Sequence, residues 1–339
     1  MNQTCLFILG MHRSGTSAMA GVLSILGANF NFELIKKVVN DNPKGYWESV
    51  EVVDINNDIF HIYNMHYMDF SSFPNNWMEN EMLIPIRQRI KNWFIKYLSK
   101  ESLIVVKDPR LCRTLPIWVD TLQELNIKPK YIHIFRHPME VVASLRTRDN
   151  TFSMVNGFLV WIAHLLDSFE CTTPNNSIII SYNKLLNAPF LTLKQCSNIL
   201  ELEWPLQVET VSDKINMFLD PSLIHHCHEE KISMPPLNNL LQSIFNSLKN
   251  YELISPNKEF YSLIETFQIN FKEYKDLFSE FHINYLHNLN AEKINAKEQI
   301  EYRDALIAEI TKQLDAEKIN AKNQIEYRDA LIAKISKQI

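Results

Sequence analysis

Glycine is scarce in this chain, and its placement is informative. Only six glycines occur among the 339 residues, and five of them fall within the first 45 positions. Glycine allows backbone conformations and close approaches that a side chain forbids. The sequence therefore concentrates its backbone freedom near the N-terminus, where we expect a loop that passes close to another group.

Three further absences restrict the class of protein. The five cysteines are scattered, odd in number and without a C-x-x-C pair, which disfavours a disulfide framework and favours a reducing compartment. No apolar run approaches the ~20 residues of a transmembrane helix, and no basic leader precedes the first apolar segment. The net charge of −5 supplies no basic field for nucleic acid. We therefore expect a cytoplasmic protein that has no transmembrane segment and binds no nucleic acid.

Four short apolar runs predict the strands of a buried sheet, at residues 4–9, 102–106, 131–135 and 177–181. Each run is continuous, which is typical of parallel strands covered on both faces. Helical patterns separate them, and these span 16–26, 48–62, 82–98, 138–148, 154–170 and 189–200. Strands that alternate with helices predict an α/β fold, a parallel sheet flanked by helices.

The stretch GMHRSGTS, residues 10–17, joins the first predicted strand to the first predicted helix. Its two glycines have the spacing of the nucleotide-binding loop G-x-x-x-x-G-K-[ST], so the sheet is of the P-loop type. Thr16 stands where that loop needs lysine, and the only cation is Arg13. Successive backbone N–H groups and a helix N-terminus bind anions, and arginine adds a bidentate charge. We therefore predict an anion site of unusual composition.

Polar side chains follow the other predicted strands. Lys107 comes after the second, Arg136 after the third and Tyr182 after the fourth. Ligands of parallel α/β sheets bind beyond the carboxyl ends of the strands, so these groups belong to one candidate site. Ser144 lies eight residues after Arg136, in a helix opened by Pro138. An arginine and a hydroxyl so placed could share a second phosphate.

At this point the sequence resembles the sulfotransferases, particularly their bacterial and Golgi-type carbohydrate branch. GMHRSGTS is similar to the 5′-phosphosulfate loop, in which R-S-G-[ST]-[ST] is usual, and FRHPMEVVAS (135–144) is similar to the 3′-phosphate motif. The resemblance is collinear over residues 4–235. Three further segments match the bacterial members: NPKGYWE (42–48), KDPR (107–110) and YNKLLNAP (182–189).

The resemblance implies 3′-phosphoadenosine 5′-phosphosulfate (PAPS) as the sulfuryl donor. It implies a hydroxyl or amine acceptor and no metal. We expect the hydroxyl of a carbohydrate or glycolipid, and a protein tyrosine or a small phenol is the alternative. Arg13 and Lys107 would stabilise the charge of the transferring group. The expected donor-binding residues are His12, Arg13, Ser14, Gly15, Thr16, Ser17, Arg136, Ser144 and Tyr182.

The acceptor hydroxyl needs a base, and the resemblance points to Glu48. A glutamate downstream of the loop serves in the related carbohydrate enzymes, whereas cytosolic small-molecule members use a histidine, and none follows Lys107 here. Glu51 and Asp54, on the same predicted helix, are the alternatives. A purely structural alternative is that Glu48 stabilises the helix N-terminus through the dipole.

Two other functions stay open at this point. The first is a nucleotide kinase or NTPase with a degenerate loop, which the missing Gly-Lys-Ser and the lack of an evident Walker-B aspartate disfavour, although Asp108 is nearby. The second is a catalytically dead transferase domain on a coiled-coil scaffold, which the presence of all the expected residues disfavours. The cluster HHCHEE, residues 225–230, fits no usual zinc spacing.

The end of the chain is repetitive. Residues 291–314 recur almost unchanged as residues 316–339. Their apolar positions follow heptads interrupted by a hendecad, which predicts a long, weakly supercoiled helix that needs a partner. We therefore divide the chain into a sulfotransferase domain (1–235), a helical extension (236–287) and two coiled-coil repeats (288–339) that mediate self-association.

Overall fold

A computed structural model of the chain describes residues 3–37, 42, 44–98, 102–148, 152–219 and 237–275. These residues belong to one compact unit that ends at Lys275. The predicted coiled coil (288–339) and the histidine-rich cluster (225–230) lie outside the described residues. Within the described ranges, no helix is both long and apolar enough to cross a membrane.

In the described residues, four parallel strands form the central sheet, and this confirms the α/β prediction. They are β1 (Thr4–Leu9), β2 (Leu103–Lys107), β3 (Lys128–Phe135) and β4 (Ser177–Ser181), in the spatial order β2-β1-β3-β4. β1 lies between β2 and β3, and its residues from Cys5 to Leu9 have no exposed surface. In the register of the sheet, Ile8 of β1 lies opposite Lys107. The carboxyl ends of all four strands therefore meet at one edge.

Helices cover the sheet and agree closely with the sequence pattern. The described helices with defined ends are α1 (Thr16–Ile25), α2 (Val50–Ile62), α3 (Ile84–Leu98), α4 (Leu111–Glu124), α5 (Pro138–Arg148), α6 (Met154–Asp167), α7 (Tyr182–Asn187), α8 (Pro189–Leu200), α9 (Ser212–Phe218) and α10 (Asn238–Asn250). Residues 258–275 are also helical. Short 3₁₀ turns lie at Trp77–Glu79, Glu81–Leu83 and Val208–Val211.

The sequence pattern misses α4 and shortens β3. Helix α4 contains Pro116, which normally argues against a helix interior. Its apolar side chains nevertheless recur at helical spacing and are buried, among them Leu111, Leu115 and Trp118. Strand β3 begins at Lys128, three residues before its apolar run, because the backbone there still pairs with the start of β1.

The described part of the helical extension packs against the preceding residues. The ring of Phe245 on α10 lies edge-on to Phe135 at the end of β3, with centroids 5.9 Å apart. At the outer edge of the sheet, the N–H of Leu253 donates to the carbonyl of Ile179 at 2.8 Å. This contact covers an edge strand that would otherwise expose unpaired backbone groups. The boundary at residue 235 stays a prediction.

Candidate functional site

Two glycines let the first loop pass close to its neighbours. A Cβ atom at Gly10 would lie 2.3 Å from the carbonyl oxygen of Ile134, and the N–H of Gly10 donates to the Cys112 sulfur at 3.1 Å. Gly15 has φ +95°, and a Cβ there would lie 2.3 Å from Cδ2 of Tyr182. The close approach that the glycine distribution predicts therefore occurs at both positions.

Helix α1 begins directly after this loop. Gly15 is its N-cap residue, and Ser14 and Thr16 on either side are almost fully buried. The first turn of α1 carries no acidic side chain. Because the first N–H groups of a helix lack intrahelical partners, the N-terminus of α1 attracts an anion.

One hydrogen bond joins the loop to the segment FRHPMEVVAS (135–144). Nε of Arg13, in the loop, donates to Oγ of Ser144 on α5 at 2.8 Å. These residues are 131 positions apart in the chain. Arg13 also has φ +68°, a conformation that non-glycine residues adopt only where the surroundings require it. The structure therefore brings the loop cation and the α5 hydroxyl to the same place.

Arg136 lies two residues before α5. Its Nε donates to Oε2 of Glu140 at 2.6 Å, and both side chains are buried. Its guanidinium carbon lies 5.2 Å from the ring centroid of Tyr182, a cation–π contact. Tyr182, which also packs on Gly15, thus connects the loop to Arg136. Sequence reasoning missed Glu140, although its i,i+4 spacing from Arg136 is a recognisable signal.

Lys107 at the end of β2 makes three hydrogen bonds. Its ammonium group donates to Oε1 of Glu48 at 2.5 Å, to the carbonyl of Tyr46 at 3.0 Å and to Oγ of Ser17 at 3.2 Å. An ammonium has three donors, so all of them are directed at these oxygens. The pair with Glu48 is buried, and Lys107 therefore connects the loop helix to the segment that carries Glu48.

Glu48 precedes α2 instead of lying within it. Ser49 is the N-cap residue of α2, which begins at Val50, two residues later than predicted. The carbonyl of Glu48 accepts from the N–H of Ile35 at 2.8 Å, which fixes the backbone at this point. Burial raises the pKa of Glu48, and this effect outweighs the opposing influence of Lys107. A carboxyl group with a raised pKa is suited to proton transfer.

The two alternative acids lie away from Lys107. Oε1 of Glu51 accepts from Nζ of Lys96 and from the hydroxyl of Tyr97, both at 2.8 Å on the surface of α3. These contacts, that of Lys96 first, lower the pKa of Glu51. Asp54 is exposed on α2. Of the three predicted acids, only Glu48 is hydrogen-bonded to Lys107 in the described residues.

Sequence reasoning also missed Arg110, although it quoted the KDPR motif. Nη1 of Arg110 lies 3.7 Å from Oε2 of Glu48 and 2.9 Å from Oδ1 of Asp108. The other oxygen of Asp108 accepts from Nδ2 of Asn56 at 2.7 Å. Asp108 is fully buried. Its hydrogen bonds give it a structural role and do not favour the Walker-B function considered above.

His12 packs at the same edge. Its ring centroid lies 5.1 Å from that of Tyr67 and 6.3 Å from that of His164. Burial lowers the pKa of His12, and the neighbouring Arg110 lowers it further, so the ring is neutral near pH 7. Within the described part of the chain, its Nε2 atom has no hydrogen-bond partner. A neutral imidazole with a shielded, unused nitrogen can accept or donate one further bond.

A P-loop-type parallel sheet whose loop holds an arginine, next to a buried carboxylate–ammonium pair, defines an α/β protein with a site suited to an anionic group. The comparison with family models makes this specific. The sulfotransferase family matches residues 5–205, well over half of the chain, and the chain belongs to that family. This confirms the resemblance at family level, whereas the carbohydrate branch stays a prediction.

Two solved structures are similar to this chain. The sulfotransferase domain from the Synechococcus PCC 7002 olefin synthase is 18% identical, with a TM-score of 0.42, and the match covers 74% of this chain and 96% of that domain. The sulfotransferase domain from the curacin biosynthetic pathway is 16% identical, with a TM-score of 0.35, and the match covers 79% and 98%. No curated protein matches the chain.

Proposed function

We propose that this chain transfers the sulfuryl group of PAPS to the hydroxyl of a carbohydrate or glycolipid acceptor. The observation that carries the proposal is the 2.8 Å hydrogen bond from Arg13 to Ser144, since it places the two motifs that resemble donor-binding segments side by side. Family membership supports the reaction class. PAPS, when bound, supplies an activated sulfuryl group on a phosphate leaving group.

The residues around the loop fit such a donor. Arg13 and the N–H groups at the start of α1 would hold the phosphosulfate end, with Ser17 as a further hydroxyl donor. Ser144 and Arg136 would hold the second phosphate. The first turn of α1 carries no acidic side chain that would repel the anion.

Glu48 is the proposed base. Its carboxylate would accept the proton of the acceptor hydroxyl, and the burial that raises its pKa brings it closer to the working pH. Lys107 would meet the negative charge that develops on the transferring group. Because Lys107 now donates to Glu48, it must give up at least one of its three present acceptors to do so.

The carbohydrate acceptor is proposed from the sequence resemblance and from one aromatic contact. Four of the aromatic side chains of residues 46–97 are buried: Phe60, Phe70, Trp93 and Phe94. Tyr67 is among those that remain partly exposed, and its ring lies 4.4 Å from the guanidinium of Arg110, near Glu48. Such a ring offers a surface for a sugar. Self-association through residues 288–339 and a cytoplasmic location also stay predictions.

Binding of desulfated donor tests the proposal directly. We expect adenosine 3′,5′-bisphosphate (PAP) to raise the Tm of the protein without added metal, because a ligand at 100 times its Kd adds ~2.7 kcal/mol of apparent stability. No response to PAP together with a Tm increase for ATP and magnesium would favour the kinase alternative.

A second experiment identifies the acceptor. The protein is incubated with labelled PAPS and glycan extracts, and the products are analysed by mass spectrometry. A catalytically dead domain would give no labelled product.

A further inference from the structure

Four buried charges, Glu48 among them, lie together, and two of them, Asp108 and Arg110, have no role in the function proposed above. The four are two carboxylates, Glu48 and Asp108, and two cations, Lys107 and Arg110. Their side chains expose between 0% and 11% of their surface. Buried charges persist only where they are paired, and this cluster is balanced. The question is what Arg110 contributes that Lys107 does not.

Arg110 is held rigidly from three sides. Its Nε donates to Oδ1 of Asn57 at 2.8 Å, and its Nη1 donates to Oδ1 of Asp108 at 2.9 Å. The face of its guanidinium lies on the ring of Tyr67. The position of Nη1 opposite Oε2 of Glu48 is therefore fixed by contacts that do not involve Glu48, and the 3.7 Å contact between them is an ion pair.

The support behind Arg110 is equally rigid. Asp108 is held by the amide of Asn56, whose Oδ1 accepts from Oγ1 of Thr114 at 2.7 Å and from Nε1 of Trp118 at 2.9 Å. Asn56 has no exposed surface, and all these partners are buried. These hydrogen bonds connect α2 and α4, through Asp108, to the guanidinium of Arg110, and they restrict its movement.

Lys107 is less suited than Arg110 to hold Glu48, because its hydrogen bond to Glu48 competes with its proposed role of stabilising the transferring group. It has a long flexible stem and a compact charge, whereas arginine presents a planar fork that holds its geometry. Once Lys107 turns toward a donor anion, Glu48 keeps only one fixed cation. We propose that Arg110 is the positioning residue for Glu48: it holds the second carboxylate oxygen in place and keeps it charged while Lys107 serves the donor. This inference rests on the proposed function.

The other titratable groups that face this cluster supply no positive charge that could replace Arg110 beside Glu48. His12 from the loop and His66 from the segment after α2 both lie near Arg110, and burial lowers the pKa of each. Both imidazoles are therefore neutral near pH 7 and add no cation beside Glu48. Tyr67 contributes a ring face to Arg110.

Titration of Glu48 tests the inference without requiring turnover. The carboxyl signal of Glu48 is followed by carbon NMR in protein labelled at glutamate, with Glu48→Gln for assignment, both free and saturated with PAP. In Arg110→Gln we expect the Glu48 titration to move up by ~1 pH unit, because an opposite charge at this range lowers a carboxyl pKa by that order. The upward shift should be larger with PAP bound, and PAP affinity should stay unchanged.

Arg113→Gln is the matched control. Arg113 is also buried on α4, but it pairs with Asp167 and lies outside the contacts of Glu48. An equal shift in this control, or no shift in Arg110→Gln, would overturn the role of Arg110. Failure of PAP to bind the wild-type protein would overturn the donor proposal instead. Should Arg110→Gln not fold, Asn57→Ala, which releases the guanidinium, and Arg110→Lys, which keeps the charge but loses the planar fork, should both move the Glu48 titration upward. No shift in either variant would contradict the inference.

Discussion

The anion loop and the Glu48 cluster meet at one edge of the sheet but are built in opposite ways. The loop is one contiguous stretch, residues 10–17, which offers backbone N–H groups, hydroxyls and one arginine. The cluster is assembled from distant segments, and Glu48 and Lys107 alone are 59 positions apart. The loop depends on backbone shape, whereas the cluster depends on matched charges.

This difference has an energetic reason. A helix N-terminus carries a partial positive charge that suits an anion from outside the protein, and it needs no internal counter-ion. A buried carboxylate is different, because desolvation opposes its charge unless cations compensate it. Lys107 and Arg110 supply that compensation at Glu48. Substitutions in the loop should therefore impair donor binding, whereas those in the cluster should impair proton transfer or folding.

The largest expected effect separates the two regions by kinetics. Glu48→Gln should lower kcat by ~10²–10⁴-fold, the usual cost of removing a general base, with little change in PAP affinity. Arg13→Ala should lower donor affinity and kcat together, because it would touch the donor in both the ground and the transition state. Steady-state kinetics with the identified acceptor and calorimetric titration of PAP provide the two measurements.

Near wild-type turnover in Glu48→Gln would contradict the assignment of the base. Glu51→Gln is the control for loss of a carboxylate in the same part of the chain, since its side chain is bound to Lys96 on the surface. The same loss of kcat in both variants would show that the effect is not specific to Glu48.

The loop and the sheet edge could be predicted because their information is local. The glycine spacing, the apolar strands and the serine eight residues after Arg136 are all readable from short stretches. Strand and helix positions follow from burial on one or both faces. Lys107 at the end of β2 contacts Ser17, so two of the predicted residues lie together in the structure. That the ends of the strands carry the functional site stays a prediction.

The partners within the cluster could not be predicted in the same way. Nothing in the sequence around Asn56 shows that its amide hydrogen-bonds to Asp108, because the contact depends on how α2 packs beside the end of β2. Arg110 was visible as part of KDPR, but its orientation toward Glu48 depends on Asn57 and Tyr67. Non-local hydrogen bonds carry no sequence periodicity, so only the structure reveals them.

The second effect concerns the stability of the cluster. Asn56→Leu should lower the free energy of unfolding by ~3 kcal/mol, because it removes the Asn56 partner from buried groups of Asp108 and Trp118, at ~1–3 kcal/mol for each unsatisfied group. The hydroxyl of Thr114 keeps a second acceptor, the carbonyl of Arg110. Urea denaturation measures the loss. Asn92→Leu, at an exposed amide on α3, is the control and should change stability little. Equal losses in both variants would refute a special role for Asn56.

A third, smaller effect tests the shape of the loop. Gly15→Ala should cost ~2 kcal/mol and weaken PAP binding, because φ is +95° and the new Cβ would overlap Tyr182. Gly45→Ala separates the two causes: its φ is +93°, but its Cβ would have only Nε1 of Trp47 nearby, at 3.8 Å. It should therefore show the conformational cost alone. If Gly15→Ala lost no more stability than Gly45→Ala, the contact with Tyr182 would be unimportant.

The smallest effect distinguishes the buried acid from the surface acid by the sign of a pH dependence. Burial raises the pKa of Glu48 above its ordinary 4.5, so the native state binds its proton more tightly than the unfolded state does. This group therefore contributes stability below pH 4.5 that is lost as the pH rises through the native pKa. Contacts with Lys96 lower the pKa of Glu51, so its contribution to stability is present above pH 4.5 and is lost as the pH falls.

Urea denaturation from acid to neutral pH measures both effects. The deficit in stability of Glu48→Gln relative to wild type should shrink with rising pH, whereas that of Glu51→Gln should grow. The second slope is the shallower one, since exposed pairs are screened by salt. Parallel slopes for the two variants would contradict the distinct environments assigned to these carboxylates.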